Sequence, residues 1–139
     1  MTNSEFTIRL FTALLAGLLI GFERQWHHKS AGLRTNTLVS VGSALFVLLS
    51  VILTQNGNGD VTRIIGQVVT GIGFLCAGII FREGISVHGL TTAVTVCCCA
   101  AIGCVAAAGF YAETFIGTSI IIIINVILKP LDDWLSKRP

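Results

Sequence analysis

Charge is absent from long tracts of this chain. No Asp, Glu, Lys or Arg falls between Arg34 and Asp60, between Glu83 and Glu113, or between Glu113 and Lys129. A soluble domain covers its surface with about a quarter charged residues. Here 12% are charged and 53% hydrophobic, over 139 residues, with a mean hydropathy of +0.85. Water cannot be the solvent of such a chain, so it reads as an integral membrane protein with no polar stretch long enough for a soluble domain.

In lipid the backbone must satisfy its own hydrogen bonds, which leaves helices and closed barrels as the spanning structures. The apolar runs predict an all-α membrane protein, one transmembrane domain over 1–139. Its five helices are expected near Phe6–Phe22, Thr37–Leu53, Ile64–Phe81, Thr91–Ala108 and Glu113–Leu128, close to the ~20 residues a span needs. The β-branched run Ile120–Ile124 has strand-like composition, but an open strand in lipid would leave backbone groups unpaired, so helix is expected there. The first run lacks a basic segment before it and ends in Phe22-Glu23-Arg24 rather than a small-residue cleavage site, so it is read as an uncleaved span.

A charged pair followed by Gly-Leu-x-Thr occurs twice. Gly21-Phe22-Glu23-Arg24 precedes Gly32-Leu33-Arg34-Thr35, and Phe81-Arg82-Glu83 precedes Gly89-Leu90-Thr91-Thr92. The repeat suggests two parallel helical hairpins, helices 1–2 and helices 3–4, with their polar turns on one side and a fifth helix outside the pair. Glu23, Arg24, Arg34, Arg82 and Glu83 then form a candidate charged network. An ionised carboxylate at the hydrocarbon edge is costly without a partner, so Glu23 is expected to be held by Arg34 or Arg82. Arg24 and Arg82 suit helix C-termini, while Thr35 or Asn36, and Thr91 or Thr92, suit the starts of helices 2 and 4. Asp60 and Glu113 are expected to cap helices 3 and 5.

Lipid tails are as apolar as leucine, so helices associate where small residues let backbones approach. Gly17 and Gly21 form a G-x-x-x-G on helix 1. Gly66, Thr70, Gly73 and Ala77 line one stripe of helix 3, and Gly71 and Gly78 another, which marks helix 3 as the expected centre. Helix 4 offers Gly89, Ala93, Cys97, Ala101, Cys104 and Ala108. Packing within one chain is the expected use of these stripes, a homo-oligomer the alternative. The consecutive Cys97, Cys98 and Cys99 point about 100° apart on a helix and cannot share one metal ion, so the five cysteines are read as packing residues and neither a metal nor a disulfide is expected.

Basic residues set the orientation. With the 23–36 turn in the cytoplasm, Arg24, Lys29, Arg34, Arg82, Lys129, Lys137 and Arg138 lie inside and Arg9 and Arg63 outside, seven against two. That predicts an outer N-terminus and an inner C-terminus, Trp26 and Trp134 at the inner interface, and Tyr111 at the outer one. The formal charge of +2 gives no basis for a nucleic-acid partner.

Several ordered motifs resemble the MgtC/SapB family of small bacterial inner-membrane proteins: Gly21-Phe22-Glu23-Arg24-Gln25, Ala31-Gly32-Leu33-Arg34-Thr35, Gly42-Ser43-Ala44-Leu45-Phe46, Gly71-Ile72-Gly73-Phe74-Leu75, Ala77-Gly78, Arg82-Glu83-Gly84 and Gly89-Leu90-Thr91-Thr92-Ala93. Cys76 departs from the usual glycine and Cys97 from a frequent tryptophan. The resemblance implies five spans with the same orientation, and a regulator acting through contacts with other membrane proteins, the ATP synthase among them, linked to magnesium limitation and intracellular survival of pathogens. Longer members carry a cytoplasmic C-terminal domain, whose role does not carry over to the residues before Pro139.

A small oligomeric transporter or channel for magnesium or another cation is the competing function. Magnesium wants an octahedral shell of oxygens, usually with one or two carboxylates, yet the acidic residues sit near the membrane faces. Asn125, deep in helix 5, reads as interhelical glue. His27, His28 and His88 lie on the inner turns with no matching nucleophile and acid, and no phosphate-binding glycine loop or other cofactor motif occurs, so no enzyme is expected.

Overall fold

The computed structural model describes residues 1–54, 59–83 and 86–135, with the side chains of residues 82–86 and 132–133 outside the description. Five helices dominate: α1 Asn3–Trp26, α2 Leu33–Thr54, α3 Val61–Ile79, α4 Leu90–Ala108 and α5 Tyr111–Leu135, with a short antiparallel pair, β1 Phe81–Glu83 and β2 Ser86–His88, between α3 and α4. All five helices are long and apolar enough to cross a membrane.

Local chemistry sets the boundaries. Thr2 and Glu5 form a reciprocal capping box at the start of α1, Thr2 Oγ1 accepting from Glu5 N–H at 3.3 Å and Thr2 N–H donating to Glu5 Oε2 at 2.9 Å. Asp60 caps α3 as expected, accepting from Thr62 N–H at 2.9 Å. The Thr62 hydroxyl and then its N–H hold the Asp60 carboxyl below the usual aspartate range. Glu113 lies inside the first turn of α5 rather than ahead of it. Gly89 and Gly109, at φ 85° and 91°, bracket α4 in the left-handed region that other residues enter at a cost.

The second hairpin departs from the repeat. α1 continues through Trp26, but α3 stops at Ile79, two residues short of the expected Phe81, and the chain turns through β1 and β2 with Phe81 opposite His88 and their rings stacked at 5.4 Å. The run Ile120–Ile124 is helical, and α5 continues past Leu128 through Pro130.

Small and polar residues fill the interior, and large apolar ones face outward. Ala13, Ala44, Ala106, Ala107, Asn36 and Ser40 are fully buried, whereas Phe11, Phe46, Phe74 and Phe115 are more than half exposed. That inversion suits a lipid solvent, in which close backbone approach drives association. Trp26 and Trp134 stand exposed at the ends of α1 and α5, with Tyr111 exposed at the opposite end of α5.

The centre is α4, not α3. Helix α4 touches α1, α2, α3 and α5 and buries residues on most of its circumference, whereas Val68 is the one buried residue of α3. A Cβ added at Gly66, Gly71, Gly73 or Gly78 would meet nothing within 4 Å, and Ala77 is exposed. Small residues permit close approach on any face, and the neighbours of α3 do not use most of its faces. The expected α4 stripe is also redrawn: Ala93 and Cys104 are buried, but Cys97, Ala101 and Ala108 are exposed.

Gly17 and Gly21 act as their spacing predicts. A Cβ on Gly17 would stand 2.9 Å from Thr37 Cα, and one on Gly21 2.8 Å from Leu33 Cα. From the other side Gly103 of α4 lies against the backbone carbonyl of Ser40. All five cysteines are free thiols. Gly103→Ala and Gly17→Ala are each expected to destabilise the bundle by about 1–3 kcal/mol through overpacking, read from unfolding in detergent. An unchanged midpoint for Gly103→Ala would contradict the crossing.

Candidate functional site

Polar side chains from α1, α4 and α5 converge at the end of the bundle that carries the α1–α2 turn. Glu23 and Arg24 occupy the last turns of α1, 8% and 2% exposed. Consecutive helical residues point about 100° apart, so the two reach different neighbours. Arg24 Nη2 donates to Thr92 Oγ1 in the first turn of α4 at 2.8 Å, a buried bond, while Arg24 Nε is buried without a partner.

Both oxygens of Glu23 are engaged. Oε1 lies 3.0 Å from His27 Nδ1, one turn later at the C-cap of α1. The same nitrogen sits 2.9 Å from the Glu23 backbone carbonyl. Two oxygen acceptors around one nitrogen place the imidazole proton on Nδ1. Oε2 accepts from Asn125 Nδ2 at 3.3 Å, an assignment the carboxylate requires because it can only accept. Thr95 Oγ1 donates to Thr91 O at 2.8 Å and approaches Asn125 Oδ1 at 3.5 Å. Asn125 thus ties α5 to α1, the gluing role expected of it.

The expected partners of Glu23 sit differently. Arg34 and Thr35 are exposed at the start of α2, and among the described residues Arg34 makes no ion pair with Glu23. Arg82 and Glu83 fall on β1, opposite Val87 and Ser86, and their side chains lie outside the described residues. Thr91 is exposed and enters only through its carbonyl. No side chain caps α4, because Gly89 takes the N-cap position and Thr92 serves Arg24 instead. At α2, which begins at Leu33, Asn36 reaches back to the carbonyls of Ala31 and Gly32 at 3.0 and 2.9 Å, and Gln25 Oε1 accepts from Leu33 N–H at 3.4 Å.

Three contributors escaped the motif reading. Ser40 Oγ donates to Ala13 O at 2.8 Å, and Cys99 Sγ to Asn36 O at 3.4 Å, joining α2 to α1 and α4. Arg9, at the opposite end, donates from Nη1 to Ala107 O at 2.9 Å, where a cation meets the negative end of the α4 dipole. Their shared signal is a polar or ionisable side chain inside an apolar run, which calls for a partner on another helix.

Glu23→Ala and Asn125→Ala are expected to couple by about 0.5–3 kcal/mol in a double-mutant cycle of unfolding, whereas Glu23→Ala and Arg34→Ala should add to within roughly 0.5 kcal/mol. Additivity of the first pair would remove the α1–α5 tie.

The family model for the MgtC family matches residues 10–134. Protein MgtC of Brucella abortus is 52% identical over 119 residues, covering 86% of this chain and 49% of the relative. Protein MgtC of Salmonella typhimurium is 42% identical over 139 residues, all of this chain and 59% of the relative. An uncharacterized protein of Synechocystis is 43% identical over the whole chain and 58% of its own length. The chain therefore spans about half to three fifths of these relatives. No solved structure matches it significantly. With a family model over most of its length and curated relatives above two fifths identity, the chain belongs to the MgtC family.

Proposed function

We propose that this chain is a non-catalytic, multi-pass regulator of the bacterial inner membrane, acting by contact with other membrane proteins. The observation that carries the reading is the commitment of Glu23: both carboxylate oxygens are bonded within the bundle, to His27 and Asn125. A carboxylate so engaged serves helix association better than passage of a hydrated cation, whose shell calls for free oxygen ligands. Two large clefts, of about 620 and 360 Å³, lie at the side of the bundle against α3 and are lined almost entirely by apolar residues. They suit lateral contacts.

The basic-residue bias supports a periplasmic N-terminus and a cytoplasmic C-terminus. In that orientation Trp26, Lys29 and Arg34, all exposed, form a cationic rim on the cytoplasmic side beside the buried network. Family resemblance points to the ATP synthase as the partner, and to magnesium limitation and intracellular survival as the setting. Reporter fusions at Asn58, at Lys29 and after Pro139 are expected to read outside, inside and inside; another pattern would move the rim to the wrong side.

In liposomes the purified chain is expected to give no magnesium flux above empty vesicles. In inverted membrane vesicles it is expected to lower ATP-driven proton pumping, with Lys29→Glu and Arg34→Glu weakening that effect. Saturable magnesium flux abolished by Glu23→Ala or Asn125→Ala would replace the regulator with a transporter. Pumping unaffected by the chain would remove the ATP synthase as its target.

A further inference from the structure

The groove between α2 and α3 changes polarity with depth as a phospholipid does. Its apolar part, the cleft of about 620 Å³, and a further cleft of about 470 Å³ share Phe46, Ile64 and Gln67, so the two run on as one groove along the side of the bundle. The further cleft opens at the end opposite Glu23 and Arg24, where Asp60 and Arg63 border it. Helix α3 has 19 residues, about 28 Å at 1.5 Å per residue, close to the ~30 Å of a hydrocarbon core. Asp60 and Arg63, in its cap and first turn, therefore stand at headgroup level. Gln67 lies about 6 Å below Arg63 along the helix, and Gly71 and Leu75 about 12 and 18 Å below it. The α3 wall thus passes from charges, through one amide, to bare apolar surface.

The charges at the mouth are open to a ligand. Asp60 Oδ1 accepts from the N–H and the hydroxyl of Thr62 at 2.9 and 2.6 Å. Its Oδ2 accepts nothing among the described residues, and the Arg63 guanidinium makes no hydrogen bond or ion pair among them. Residues three apart on a helix surface stand about 5–6 Å from each other, so a carboxylate and a guanidinium are offered side by side. A lone anion would be repelled by Asp60 and a lone cation by Arg63. The complement is a zwitterion: a phosphate, which arginine binds, joined by a short link to an ammonium, which donates to a carboxylate. An ethanolamine phospholipid carries that pair above ester carbonyls and acyl chains. Gln67 offers an amide N–H at the depth of the esters. Below it the walls give room for a chain, since a Cβ on Gly42 or Gly71 would meet nothing within 4 Å. An apolar helix would fill the lower groove and leave both charges at the mouth unmatched.

We propose that the α2–α3 groove holds one ethanolamine phospholipid, its phosphate on Arg63, its ammonium on Asp60, an ester carbonyl on Gln67 and an acyl chain past Gly42 and Gly71. The site is independent of the regulatory reading above, whose lateral contacts keep the cleft of about 360 Å³ between α3 and α4.

The test uses the full chain, delipidated in detergent and titrated with phosphatidylethanolamine, phosphatidylcholine and phosphatidylglycerol of identical acyl chains, with bound lipid counted by native mass spectrometry. One phosphatidylethanolamine per chain is expected, held about 2- to 5-fold more tightly than the other two, the range of solvent-accessible ion pairs. Choline offers Asp60 no N–H, and glycerol offers it no positive charge. Asp60→Asn keeps the helix cap, because Asn and Asp cap about equally well, and should bring phosphatidylethanolamine down to the level of phosphatidylcholine. Arg63→Gln should weaken all three lipids by a similar factor. Gly71→Leu, which fills the groove, should abolish retention without lowering the unfolding midpoint of the lipid-free chain. Equal binding of the three lipids overturns the proposal, as does a preference for phosphatidylethanolamine that survives Asp60→Asn and Arg63→Gln. In native membranes a photocrosslinking residue in place of Leu75 should capture phosphatidylethanolamine in excess over one in place of Phe115, on exposed α5. Capture of a protein at Leu75 instead, whether a second copy or another chain, overturns the lipid as the occupant of the groove.

Discussion

The close crossing of three backbones at Ser40 organises the bundle. In lipid no hydrophobic force drives helices together, so contact depends on how near the main chains come and on hydrogen bonds between them. The Asn36–Ser40 turn of α2 is wedged between Gly17 of α1 and Gly103 of α4, and Ser40 bonds across to Ala13. This contact sets the register of α1 against α4. Arg9 then meets Ala107 at one end and Arg24 meets Thr92 at the other. The two arginines are 15 residues apart (24 − 9), and so are their partners (107 − 92), about 22 Å along each helix. Two antiparallel helices held at matched spacing cannot slide without breaking both ties.

The polar knot depends on that register. Arg24 is buried beside Glu23, and a buried ion that loses its compensation costs about 3–5 kcal/mol. The knot also recruits α5, which meets α1 through Asn125 and packs Gly117 under Ile102 of α4. A structural role accounts for every bond in it. What it offers function is a rigid end from which exposed Lys29, Arg34 and Trp26 project.

Much of the fold was legible in the sequence because lipid imposes few solutions. Long uncharged tracts demanded helices, Gly17 and Gly21 announced a close neighbour, and the repeated corner placed both polar turns on one side, as the Arg24–Thr92 bond requires. Pairing was less legible. Glu23 needed a partner, but sequence spacing could not separate Arg34, 11 residues on across the first turn, from Asn125, 102 residues on in α5. Helix α3 misled for a related reason: glycines state that a face can be approached, not that the same chain approaches it. The β1–β2 hairpin was hidden because the repeat counterpart of its first strand is helical: the paths diverge where α3 stops at Ile79 while α1 runs on through Trp26.

The ties of α1 reach far along the chain. Arg24 waits for a partner 68 residues downstream, Arg9 for one 98 residues away, and Glu23 for one at 102. At a synthesis rate of roughly 5–20 residues per second, about 3–14 s separate the emergence of Arg24 from that of Thr92. During that interval α1 and α2 can pair through Gly17 and Ser40, but the charges at the end of α1 have no partner on α4. Burial of Arg24 and closure of the knot are therefore late events in biogenesis, and α4 is the span whose arrival turns a tethered hairpin into a bundle.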